Sequence, residues 1–128
     1  MTETTLRLSL WLACPFNLAA AVVFAFPSSI LGQQLGLPEY VSPLYSSLVA
    51  LFVALFGFTY AWLARQPAID RPLLALGSIG KLGAFLTALG LWIAKLVPGL
   101  VVLVAVGDLV FAGLWFRWLH TSRGRRAA

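Results

Sequence analysis

Apolar residues in this chain run in four long blocks instead of alternating with polar ones. The blocks cover 6–26, 44–64, 73–97 and 99–119. Each reaches the roughly 20 residues that an α-helix needs to cross a hydrocarbon layer of about 30 Å. They are too long for strands and lack the period-two pattern of a membrane β-barrel. Every break between blocks carries proline, which removes a helix donor and restricts the residue before it. Pro98-Gly99 separates the last two blocks and leaves room only for an antiparallel hairpin. The pattern predicts an all-α membrane protein: an antiparallel four-transmembrane-helix bundle in a single domain over 1–128. A short interfacial segment is expected between helices 1 and 2.

That segment, PSSILGQQLGLPEYVSP, is 17 residues long, more than so compact a chain needs for a connection. Ile30, Leu31, Leu35 and Leu37 mix with Gln33, Gln34 and Glu39, which reads as a short amphipathic helix lying in the interface. The other reading is a lid over a space between the helices. Ser28 or Ser29 would cap such a helix, and Gly36 or Pro38 would end it.

Composition changes the picture only by naming the solvent. Of 128 residues, 61% are hydrophobic and 10% charged, with mean hydropathy +0.94. Soluble domains carry about a quarter charged residues, so this chain cannot cover a water-exposed globule, and it is far too apolar for disorder. One Cys and one His exclude a disulfide framework and a Cys/His metal cluster.

The net charge of +5 would suit nucleic acid, but its distribution points to topology. Arg7, Arg65, Arg71, Arg117, Arg123, Arg125 and Arg126 share one side of the four-span plan, while Lys95 and Glu39 lie on the other. The positive-inside rule then places both termini on the cytoplasmic side. The basic tail 120–128 reads as an anchor at anionic lipid, with no nucleic-acid partner expected. Trp11, Trp62, Trp115 and Trp118 fall near the cytoplasmic ends of their spans and Trp92 near the outer end, as an interfacial belt would. The first span has only Arg7 before its apolar run, and Pro27 sits where cleavage would occur; it is expected to be retained.

Two charges remain inside the spans. Lys81 is about 12 Å deep from one side and Asp108 about 13–14 Å deep from the other, counted by helical rise. In a layer of about 30 Å their heights differ by only a few ångströms. The hairpin makes their helices neighbours, so a Lys81–Asp108 ion pair is expected. Asn17 lies at the same level, with Thr59 and Tyr60 of the second span nearest to it. Pro15 leaves the Trp11 carbonyl without its helical donor, which predicts a kink. On the third span Gly80, Ala84 and Ala88 form a ridge of small residues beside Gly83, Thr87 and Gly90, the helix-packing pattern of membrane proteins. On the fourth, Val101, Ala105, Asp108, Ala112 and Trp115 make a stripe expected to face that ridge. An intramembrane charge is a functional candidate. The polar layer therefore either sets helix rotation and register or binds a headgroup, a quinone oxygen or a coupling proton through Asn17, Lys81, Asp108, Thr59 and Tyr60. The pair offers too few ligands for a metal. Cys14 at mid-depth and His120 at the rim are too far apart for a nucleophilic dyad. No hydrolytic or phosphate-binding motif occurs, so no catalytic residue and no enzyme activity are expected.

The runs LACPFNLAAAVVFAFPSSILGQQLGLP, ARQPAIDRP, GKLGAF and GDLVFAGLW together resemble a group of small uncharacterised bacterial four-span membrane proteins. In size and span plan the chain is also similar to DoxX-like proteins, a likeness that implies a quinone-linked redox role. It lacks the membrane-embedded glutamate of small multidrug transporters and the glycine-rich asparagine/phenylalanine pattern of fluoride channels. Three roles follow as expectations: a non-catalytic accessory or lipid- or small-ligand-binding subunit of a membrane assembly, a small homo-oligomeric transporter using Lys81 and Asp108, or a quinone-linked subunit. Beyond a lipid or quinone no cofactor is expected. The bilayer and a homo-oligomer or larger complex are the expected partners, because four helices enclose little volume.

Overall fold

The computed structural model describes the backbone of residues 1–124 and the side chains of 1–122. Five helices follow in order: α1 (Glu3–Ala25), α2 (Ile30–Gln34), α3 (Pro43–Arg65), α4 (Arg71–Ile93) and α5 (Gly99–Gly124). Among the described residues there is no strand. Four of the helices are long and apolar enough to cross a membrane. At 1.5 Å per residue, 23 residues reach about 34 Å, a little more than the hydrocarbon thickness.

Local chemistry sets the ends. The Thr2 side chain accepts from the Thr5 amide at the start of α1, and the Asp70 carboxylate accepts from the Leu73 amide at the start of α4. Proline occupies the first turn of both α3 and α4, where its missing N–H costs nothing. The short α2 is capped by Ser29, whose hydroxyl accepts from the Gly32 amide, and ends at Gly36 in the left-handed region at φ 74°. The Gly36 and Leu37 amides bond back to the Gln33 and Gly32 carbonyls, the Schellman closure that favours glycine.

The third span differs from its expected extent. The apolar run continues to Val97, but α4 stops at Ile93. Lys95 turns left-handed at φ 60°, with its amide bonded to the Trp92 carbonyl and the Leu96 amide to the Leu91 carbonyl. This is a second Schellman closure, here on a lysine. Pro98 disfavours helix at the residue before it, so the chain leaves the helix early and the connection is a five-residue turn, 94–98, broader than a Pro-Gly corner. Pro15 is accommodated inside an unbroken α1.

The long helices form two closely packed antiparallel pairs, α1 with α3 and α4 with α5, which meet along a narrower seam. Each pair is fastened at the end holding both termini. Arg7 of α1 donates to the Ala64 and Gln66 carbonyls at the end of α3, at 2.8 and 2.7 Å. Arg71 of α4 donates to the Leu119 carbonyl near the end of α5, at 2.6 Å, and to the Ser122 hydroxyl. Ala64 and Gln66 lie at the very end of α3, where the last carbonyls lack intrahelical donors and carry partial negative charge, so the Arg7 guanidinium satisfies both needs. Leu119 stands inside the last turns of α5 and offers Arg71 a carbonyl's second lone pair. These two arginines therefore lock helix pairs as well as contributing to the basic rim. Arg125, Arg126 and the side chain of Arg123 lie outside the described residues.

The core is uneven along the bundle axis. Leu6, Leu10, Tyr60, Leu63, Leu74 and Trp115 fill it at the termini end. Toward the other end the buried positions are small: Ala21, Ala50, Ala88 and Ala105. Trp115 departs from its expected place in the interfacial belt. It is fully buried and donates its indole N–H to the Ser9 hydroxyl at 2.9 Å. Trp11, Trp62 and Trp92 are exposed on the outside of the bundle. Trp115 has the core position because it lies four and seven residues beyond Phe111 and Asp108, on the inward stripe of α5.

Candidate functional site, a polar layer at the seam

Where the two helix pairs meet, the Lys81 ammonium lies 2.6 Å from Asp108 Oδ1 and 2.5 Å from Asn17 Oδ1. The Asn17 amide nitrogen donates in turn to the Val53 carbonyl of α3 at 3.0 Å. One continuous hydrogen-bonded set thus ties all four long helices. Lys81 is 3% exposed, a burial tolerable for an ammonium only when it is paired and hydrogen-bonded. The ring centroids of Phe16, Tyr60 and Phe111 stand 4.7, 5.4 and 5.4 Å from its nitrogen. An aromatic face attracts a desolvated cation by about 2 kcal/mol or more. The rings continue into the core through Tyr60 on Trp115 at 4.8 Å and Phe111 on Trp115 at 5.8 Å.

Three glycines make the approach possible. A Cβ on Gly57 would stand 3.0 Å from the Asn17 Cβ, one on Gly77 2.9 Å from the Tyr60 ring, and one on Gly107 2.8 Å from the Phe16 ring. Sequence reading attached no role to Gly57, nor to Ser9 and Ser78, whose hydroxyls bond within their own helices at buried positions. The signal available was a small or polar residue inside an apolar span, and many positions share it.

Asp108 keeps 16% of its side chain exposed. Its Oδ1 holds Lys81, and Oδ2 takes no hydrogen bond among the described residues. The arrangement can hold an ammonium firmly, orient it, and exchange a proton across a 2.6 Å contact. No group of three or more His, Cys, Asp or Glu side chains that could hold a metal occurs among the described residues. Cys14 sits half-buried on α1, and His120 is exposed near the end of α5.

The remaining sequence candidates fall elsewhere. Tyr60 joins the layer through its ring, whereas Thr59 points away and donates to the Leu55 carbonyl of its own helix. The small-residue ridge of α4 does not face α5. Gly80, Gly83, Ala84, Thr87 and Gly90 are exposed, and a Cβ on Gly80, Gly83 or Gly90 would meet nothing within 4 Å. Ala88 alone of that set is buried. Leu74, Gly77, Ser78, Lys81 and Ala88 form the inward face instead, because the lysine must reach its carboxylate and the ridge lies round the helix from it. The α5 stripe through Ala105, Asp108, Ala112 and Trp115 does face inward.

No protein-family model, curated protein or solved structure matches this chain.

Proposed function

We propose that this protein is a non-catalytic accessory subunit of a membrane assembly, in a bacterial inner membrane with both termini in the cytoplasm. One observation carries the reading: the intramembrane charges are spent on each other. Lys81 is closed in by Asn17, Asp108 and three aromatic rings, which suits a clasp between helix pairs better than a path for a solute. A ridge of small residues on α4, left open in one chain, agrees with a protein that works beside another copy or a partner helix. Extraction in mild detergent followed by native mass spectrometry tests this. The expected result is a complex at a fixed ratio, with a second copy, a partner or a bound lipid. A bare monomer carrying nothing would overturn it.

A second reading has its own support in the exposed edge of Asp108. A carboxylate that holds a lysine with one oxygen and keeps an open edge can gain and lose a proton, as a small homo-oligomeric transporter requires. On this reading Asp108→Asn abolishes proton entry into proteoliposomes carrying an internal pH dye. Equal entry with wild type and variant removes the pair from any transport mechanism.

A further inference from the structure

The geometry points to a second site, at the end of the bundle that holds both termini: a seat for a phosphate ester bearing a primary amine, of the kind an ethanolamine phospholipid presents. It is independent of the polar layer. A half-open cleft of about 270 Å³ lies there between the helix pairs, lined among others by Glu3, Pro67, Ile69, Arg71, Trp118 and Ser122. Clefts of about 300 Å³ and more take drug-sized ligands, so this one suits a compact headgroup.

The two charged residues that line it have opposite sign, and Glu3 is already paired with Arg7 at 2.6 Å. Arg71 is held by the Leu119 carbonyl and the Ser122 hydroxyl and lies 5.5 Å from the Trp118 ring. Its side chain is thus fixed by neutral oxygens, and no carboxylate lies within ion-pair distance among the described residues. A guanidinium has five N–H donors, so several remain to receive a phosphate in the paired geometry it favours. On the other side Glu3 receives both Arg7 bonds on Oε1. Oε2 keeps its lone pairs for an ammonium.

An anion-only ligand would satisfy Arg71 and leave Glu3 Oε2 without a donor, since Glu3 is paired with Arg7 through Oε1 alone. A choline headgroup offers Glu3 a charge without N–H donors. A primary amine on a phosphate satisfies both ends. The position favours a lipid as the source, since tryptophan and arginine at the ends of spans sit at headgroup level.

The test uses the full chain in detergent with equal amounts of phosphatidylethanolamine, phosphatidylcholine and phosphatidylglycerol, read by native mass spectrometry. Wild type should retain the ethanolamine lipid several-fold over both others. Glu3→Gln should lose the preference over phosphatidylglycerol while keeping wild-type helicity, and Gly83→Ala, where an added Cβ meets nothing within 4 Å, should leave the preference intact. Soluble phosphoethanolamine in a parallel arm separates the sources: displacement of the lipid supports a soluble phosphoamine ligand, and no displacement supports the lipid. Equal retention of the three lipids by wild type, or an unchanged preference in E3Q, overturns the assignment.

Discussion

Lys81 joins polar groups on two other helices, Asn17 of α1 and Asp108 of α5, into one satisfied set. Removing one member of a buried ion pair costs about 3–5 kcal/mol, since the other charge is left behind, while replacing both with apolar side chains costs far less. Asp108→Ala is therefore expected to lower stability in detergent sharply. Lys81→Met combined with Asp108→Leu should recover most of that loss, measured as the midpoint of thermal or denaturant unfolding. Additive losses in the double variant would show that the pair is not coupled. The juxtaposition of Lys81 and Asp108 was legible in the sequence, because helical rise fixes depth and a short connection fixes neighbours. The aromatic enclosure was not, since Phe16, Tyr60 and Phe111 look like any other apolar residue in a span.

At the scale of the helices, depth is readable but rotation is much less so. In water an apolar stripe marks the inward face; in lipid both faces are apolar, and small residues occur on several. The ridge on α4 and the small positions on α3 look alike in sequence, yet only one set is packed within the chain. The contrast can be measured. Gly57→Ala forces its methyl to within 3.0 Å of Asn17 and 3.2 Å of the Cys14 carbonyl, and overpacking of this kind costs about 1–3 kcal/mol. Gly83→Ala meets nothing and should gain up to about 1 kcal/mol from helix propensity. Unfolding midpoints that move in opposite directions would bear out the two environments; equal shifts would contradict them. The same ambiguity hid Trp115, whose indole has its partner on another helix, and the arginine fastenings, which join residues 57 or more positions apart in one pair and 48 in the other.

For the molecule as a whole, the arginines also bear on orientation. Arg7 and Arg71 are engaged on carbonyls of neighbouring helices, yet they lie at the same end as Arg65, so the charge bias has one direction. A cysteine placed at Tyr40, which is 93% exposed, in a Cys14→Ser background should react with an impermeant maleimide on intact cells. One placed at Arg65 should react only after lysis. Reversal of the two results would invert the topology.

The division of the hydrogen bonds between the two helix pairs has a consequence for how the chain is made. Asn17 already has Val53 within the first pair, and Lys81 has Asp108 within the second. The bonds crossing between pairs in this inner part of the bundle are Lys81 to Asn17 and Trp115 to Ser9. Each half can therefore leave the ribosome and enter the bilayer in turn with few polar groups waiting for a partner not yet synthesised. The connection 66–70 then becomes dispensable for assembly: two separately expressed halves, divided there, should find each other in the membrane.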